Sequence, residues 1–427
     1  MKRTGILLLT FVLLLSLTAC GKTTGNAVVV EVGGVSVTKP EAEPIYRAVL
    51  QQTLNMYQQF GIPMDGTDPE FVTMMKAQAL NTIGEQLALS QELTRLGIGL
   101  SDADQKAIDE KAKSEHDSLI SQVVEYNQVS RKDAEEYLVS VAYTLDMIKF
   151  ALRGEEIRSR LADHLAPGLS VSDDEILERY DALLVDQKET YEADSSQFAT
   201  DVLNDSIIVT RPSGFRHVKN IVIAMPDEVM AQIEAKDSEL YDVTYHLYMI
   251  ENELAAEETE ESEKAGLEAE YAEHQAEFDR LSQEIEDLMK TGQEAVRPKA
   301  EEVLALCKAE GADFDALLAE YSSDRPTGDL LAKGYPVGAG VTTYVPTFTE
   351  AAMALQSIGE ISGLVESVYG FHILQYTEDI NPGVVPLEEV RAAISDLLTE
   401  EKREQALNDE IASIAENADI KVYADRF

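Results

Sequence analysis

Two of the six histidines in this chain stand where a histidine is unexpected. His372 interrupts "SVYGFHILQY" (367–376), which otherwise reads as a buried strand. Alternation puts His372, Leu374 and Tyr376 on one face and Phe371 and Ile373 on the other. Gly370, just before, permits a bend or a close backbone approach. The plainest account is a core histidine satisfied by one hydrogen bond. His217, however, stands in a second apolar-rich stretch, "FRHVKNIVIAM" (215–225). Two such strands side by side would bring both rings onto one face. Asp324 lies between them in sequence, in the turn-forming "EYSSDRPTGDLL" (320–331). Two imidazoles and a carboxylate can make a facial metal site, but no HxD or HxH pair accompanies them. The reading drawn is a hydrogen-bonded polar cluster, without metal, beside an apolar pocket whose candidate walls are Leu330, Tyr344, Phe348 and Tyr369.

These residues belong to a central region, 211–382, that reads as a small α+β unit. It runs from the strand around His217 to helix "PKAEEVLALCKAEGADFDALLAEYS", a glycine-rich connection, helix "FTEAAMALQ" and strand "GFHILQY". Residues 227–294 interrupt it. Val229, Ile233, Lys236, Leu240, Val243, Leu247, Ile250 and Leu254 keep a 4,3 spacing, as do Leu267, Tyr271, His274, Phe278, Leu281, Ile285 and Leu288. With the polar turn "AAEETEESEKAG" between them, the two stretches predict an antiparallel coiled-coil hairpin. Each arm would be about 40 Å long at ~1.5 Å per residue. The block carries 22 acidic residues against 4 basic ones. It is read as a projecting hairpin or homodimer contact, with a clamp for client chains as the functional alternative. His274 is read as a polar interruption of the seam.

The flanks position this unit. "AVVVEVGGVSVTKPEAE" (27–43) predicts a hairpin turning at Gly33-Gly34, then a helix capped by Thr38 and Glu41. A helical pattern follows to about residue 190, restarting at Ser101, Ser130 and Ser172. The far end predicts one long amphipathic helix and a strand, "DIKVY" (419–423). A lone terminal strand needs a partner. If the hairpin supplies it, 21–210 and 383–427 build one mostly helical lobe and 211–382 is inserted into it.

The first residues carry a separate signal. Lys2 and Arg3 precede a short apolar run ending in "LTAC" (17–20), the pattern of a secretory signal peptide, 1–20. The tetrapeptide resembles the bacterial lipobox, which implies that Cys20 is the lipidated first residue of the mature chain. No other stretch has the ~18 apolar residues of a membrane span, so the expectation is a lipid-anchored protein on the extracytoplasmic face of the cell membrane. Cys307, the other cysteine, sits at helical spacing from Val303 and reads as a buried small hydrophobe. A formal charge of −44, from 79 acidic and 35 basic residues, argues against nucleic acid as a partner.

In order, "FRHVKNIVIA", "GADFDALLAEYSSD", "GDL" and "FTEAAMALQSIGEISGLVESVYGFHILQYTED" resemble the blocks of the parvulin peptidyl-prolyl isomerases. The flanks resemble the PrsA-type extracellular foldase lipoproteins and SurA-like periplasmic chaperones. The resemblance implies catalytic roles for His217, Asp324 and His372. It implies a proline pocket walled by Leu330 and Phe348, with Tyr344 where methionine is usual and Tyr369 three residues before the second histidine. It also implies an isomerase and foldase for secreted proteins, acting on unfolded chains with X-Pro bonds and using no cofactor. The chain departs from the pattern where "GDLLAKGYPV" replaces the usual "GGDLGWF", where the following loop is longer, and where the coiled coil intervenes. Those departures motivate the rival reading of a catalytically silent holdase for exported proteins. The fold class expected is α+β: a parvulin-like domain inserted into a helical chaperone-like lobe, plus the coiled-coil hairpin.

Overall fold

The computed structural model describes residues 27–60, 62, 64–256 and 261–427. The expected leader with Cys20, and residues 257–260, lie outside them. By backbone contacts the chain divides into two compact units, one of residues up to 171 with 396–427 and one of 172–395.

In the first unit β1 (Val28–Val32) and β2 (Val35–Thr38) pair antiparallel. Gly33 and Gly34 connect them with φ of +55° and +83°. Both dihedrals are left-handed, which is why glycines stand there. Thr38 and Glu41 form the expected capping box at the start of α1 (Lys39–Gln59). Asp68, Ser101, Ser130 and Thr144 cap α2 (Pro69–Arg95), α3 (Asp102–Asn127), α4 (Arg131–Ser140) and α5 (Leu145–Leu165). Each cap side chain accepts a first-turn N–H that the helix itself leaves unpaired. Val30, Val37, Ile45, Leu80, Ile83 and Phe150 meet in the core.

The second unit opens with α6 (Asp173–Ala193) and α7 (Ser196–Leu203), earlier than the boundary at 211 read from the sequence. The reason is packing: Tyr191 and Phe198 bury against Phe215, Val341 and Ile380. After the short β3 (Thr210–Arg211) come β4 (Phe215–Ala224), α8 (Asp227–Ala255), α9 (Glu261–Cys307), α10 (Phe314–Tyr321) and α11 (Gly328–Ala332). Then follow β5 (Tyr335–Gly338), α12 (Pro346–Ala354), β6 (Val365–Ser367), β7 (Gly370–Asp379) and β8 (Gly383–Val384), which pairs with β3. The main sheet has the order β5-β4-β7-β6, antiparallel throughout. One face packs Ile221, Ile223, Phe371 and Ile373 against α9 and α10 through Val303, Cys307, Phe314 and Leu318. The other packs Val218, Leu374 and Tyr376 against Phe348, Ala352 and Leu355 on and after α12.

The coiled-coil hairpin forms between β4 and the sheet-covering end of α9. Its seam buries Val243, Leu247 and Leu281, with Leu240, Tyr271 and Phe278 against them. Lys236 meets Glu284 at 2.9 Å and the Tyr271 hydroxyl donates to Glu251 at 2.8 Å, so partners run in opposite directions along the arms. His274 does not merely interrupt the seam: its ring stacks on His246 of the other arm, 5.2 Å between centroids and 13° from parallel. Since α9 runs from the arm to Cys307, with Pro298 inside it, the projection and one wall of the sheet core belong to one helix.

The last elements are α13 (Leu387–Asn417) and β9 (Ile420–Val422). The pairing expected of the terminal strand is present: Val30 lies opposite Val422 and Val32 opposite Ile420. Leu407, Ile411 and Ile414 of α13 pack on Leu93, Ile157 and Leu161.

Candidate active site

The register of β4 against β7 sets Val222 opposite His372, Asn220 opposite Leu374 and Val218 opposite Tyr376. His372, Leu374 and Tyr376 therefore share one face, as alternation predicts. Gly370 makes this possible with φ +128°; a Cβ there would come within 2.3 Å of the Ile223 carbonyl oxygen. His372 is 5% exposed, and both ring nitrogens have partners. Nδ1 lies 3.1 Å from Asn220 Oδ1 and Nε2 lies 2.7 Å from Ser367 Oγ. The Ser367 oxygen also accepts the Tyr369 N–H at 3.0 Å. With the amide so oriented, a neutral ring donates from Nδ1 to Asn220 and accepts the Ser367 hydroxyl proton at Nε2. Burial pushes the His372 pKa down to about 4, with the nearby negative charge of Asp324 acting weakly in the opposite direction.

Beside the imidazole stands an aromatic wall. The Phe348 ring meets His372 edge to face at 5.6 Å, and Tyr344 lies 5.2 Å from Phe348. Tyr335 packs edge-on to both Tyr344 and Phe348, at 6.1 and 6.5 Å. The Tyr335 hydroxyl donates to Asp324 Oδ2 at 2.6 Å, and the Tyr344 hydroxyl to the Pro336 carbonyl at 3.1 Å. Burial, followed for Tyr335 by the Asp324 carboxylate, raises both phenols above their ordinary range. Both stay protonated donors at neutral pH.

The histidine pair read from the sequence is not formed. His217 has the opposite parity to Val218 and Asn220, and its Nδ1 lies 3.1 Å from the Gly334 carbonyl oxygen at the start of β5. Its pKa is lowered, first by burial, with that carbonyl opposing. The residue that faces His372 from β4 is Asn220. The error has a physical origin: the step from His217 to Asn220 is three positions, an odd step that exchanges the two faces of a strand. The signal that would have found it is an amide inside the run "VKNIVIA", where a buried polar side chain needs a partner. Ser367 and Tyr335 were also missed, because their roles depend on the turn before β7 and on the start of β5. Of the other residues read from the sequence, Asp324, Tyr344 and Phe348 gather around His372. Leu330 is half-buried on α11, outside the cluster around Phe348, and the Tyr369 side chain is 44% exposed at the turn.

Two family models match segments of the chain. Residues 283–378 match the PPIC-type PPIASE domain, and residues 3–118 match the SurA-like N-terminal domain. Both matches are partial, and residues 119–282 and 379–427 lie outside them. The first match begins inside the second arm of α9 and includes Asp324 through His372, while α8 and the first part of α9 separate β4 and Asn220 from it. Among curated relatives, the chain is 38% identical over 117 residues to Foldase protein PrsA 1 of Listeria monocytogenes, covering 26% of this chain and 37% of that protein. It is 39% identical over 132 residues to Foldase protein PrsA of Halalkalibacterium halodurans, covering 30% and 36%. In both cases little more than a third of the relative's length is spanned. The crystal structure of foldase protein PrsA from Streptococcus pneumoniae aligns over 94% of this chain and 97% of that one, at 14% identity and a TM-score of 0.29. Among the described residues, no helix is long and apolar enough to cross a membrane.

Proposed function

We propose that the chain is a peptidyl-prolyl cis-trans isomerase and foldase for exported polypeptides, tethered to the membrane through lipid on Cys20. The observation that carries the catalytic reading is the buried, neutral His372, held between Asn220 and Ser367 and edged by Phe348, with Asp324 reached through Tyr335.

Rotation about a peptide bond faces ~18–20 kcal/mol, and an X-Pro bond takes tens to hundreds of seconds unaided. The obstacle is amide resonance, which water reinforces by hydrogen-bonding the polarised carbonyl. A surface that grips the proline ring and excludes water favours the twisted amide, in which resonance is lost. Phe348 and Tyr344 supply the apolar grip. His372, Asn220 and Ser367 fix one neutral hydrogen-bond pattern under it, and Asp324 supplies the negative charge at its edge. Asn220 fills this role with its amide oxygen, which accepts the Nδ1–H of the neutral ring.

The substrates proposed are unfolded or partly folded chains with X-Pro bonds. The test is proline-limited refolding of a model substrate with the purified protein. Acceleration in wild type, lost on His372→Ala, supports the assignment. No acceleration, with aggregation still suppressed, would leave the holdase reading in its place.

A further inference from the structure

Tyr241, Tyr245 and Tyr248 recur at i, i+4 and i+7 along α8, so they form one stripe. They are 73%, 53% and 60% exposed, and Met249 beside them is 48% exposed. Lys236, Leu240, Val243 and Leu247 turn toward α9 on the other side of the helix, so the stripe is not part of the seam. Glu234 and Asp237 extend it toward β4, and Asp242 flanks it. All three are exposed, and none forms an ion pair among the described residues.

We propose that this stripe docks cationic amphipathic segments of unfolded polypeptides, the client class of the foldase reading on which the proposal rests. Tyrosine and methionine on a helix otherwise rich in carboxylates are interface residues rather than solvation residues. Lysine or arginine can sit over the ring faces while its charge meets the flanking carboxylates. Complementarity selects this occupant over a second copy of the chain, whose arm would carry the same excess of 22 acidic over 4 basic residues.

The test uses a fluorescein-labelled, proline-free peptide alternating lysine and leucine, and a glutamate counterpart, followed by anisotropy. The lysine peptide binds wild type and weakens with salt, and the glutamate peptide does not bind. The combined variant Tyr241→Ser, Tyr245→Ser, Tyr248→Ser loses about tenfold in affinity, with helix content and isomerisation of a short X-Pro peptide unchanged. The variant Glu234→Gln, Asp237→Asn, Asp242→Asn shows a shallower salt dependence. Affinity of the tyrosine variant within twofold of wild type overturns the proposal. So does equal binding of the glutamate peptide, or a wild-type dimer in sedimentation that the tyrosine variant abolishes. If wild type fails to isomerise the short peptide yet binds the lysine peptide through the stripe, the isomerase reading fails and the docking surface stands.

Discussion

The sheet around His372 and the arm inserted into it treat polar and aromatic groups in opposite ways. At the sheet, polar groups are buried and matched one to one: Asn220 and Ser367 to the ring nitrogens, Tyr335 to Asp324. On the arm the Tyr241, Tyr245 and Tyr248 rings face water, and the matched pairs, such as Lys236 with Glu284, lie near the surface. An unmatched group in the sheet carries its full desolvation cost, whereas one on the exposed face of the arm is solvated. The two regions should therefore respond very differently to the same kind of substitution.

The largest contrast is expected from aromatic truncation. Phe348 is 4% exposed among His372, Tyr344 and Tyr335, so Phe348→Ala should cost about 3–5 kcal/mol by urea unfolding and remove the proline grip. A loss under about 1 kcal/mol would mean the wall is not packed as described.

Next in size is a pH effect confined to the sheet. The folded His372 pKa lies at about 4, against an ordinary value of 6.5. Above 6.5 the ring is neutral folded or unfolded. Between 6.5 and about 4 the unfolded chain binds the extra proton, so stability falls as pH falls, by about 3 kcal/mol over the window. The lowered His217 pKa acts in the same direction. Unfolding of wild type and of His372→Gln at pH 7 and pH 4.5 checks the sign; a wild-type loss no larger than the variant's would contradict the buried neutral ring.

A smaller effect is expected on catalysis. His372→Ala or Asp324→Ala should slow proline-limited refolding tenfold or more, about 1.4 kcal/mol in the barrier. Unchanged rates in both would remove the site. The smallest effect belongs to the arm: serine at 241, 245 and 248 should leave thermal unfolding unchanged within about 0.5 kcal/mol. A large drop would show that the rings are packed rather than presented.

The same contrast explains what could be read from sequence. Regular patterns carried through: the heptads of α8 and α9, the Thr38, Ser101 and Ser172 caps, the alternation around His372, and the partner for the terminal strand. Each depends on residue types recurring at a fixed period. The cluster was legible only in part, because parity within one strand decides which residue meets His372, and the step from His217 to Asn220 is three positions. Ser367 and Tyr335 enter through a turn and a strand start, where no periodicity announces them. The earlier start of the second unit came from Tyr191 and Phe198 meeting Phe215, a contact that helix signals do not reveal.

The pairing of β1 with β9 also sets a schedule. The first hairpin finds its third strand only after nearly the whole chain has emerged. Until then its outer edge is open to any passing strand. The central sheet closes entirely from segments that emerge in between, so it can be complete while its own N-terminal neighbour is still waiting.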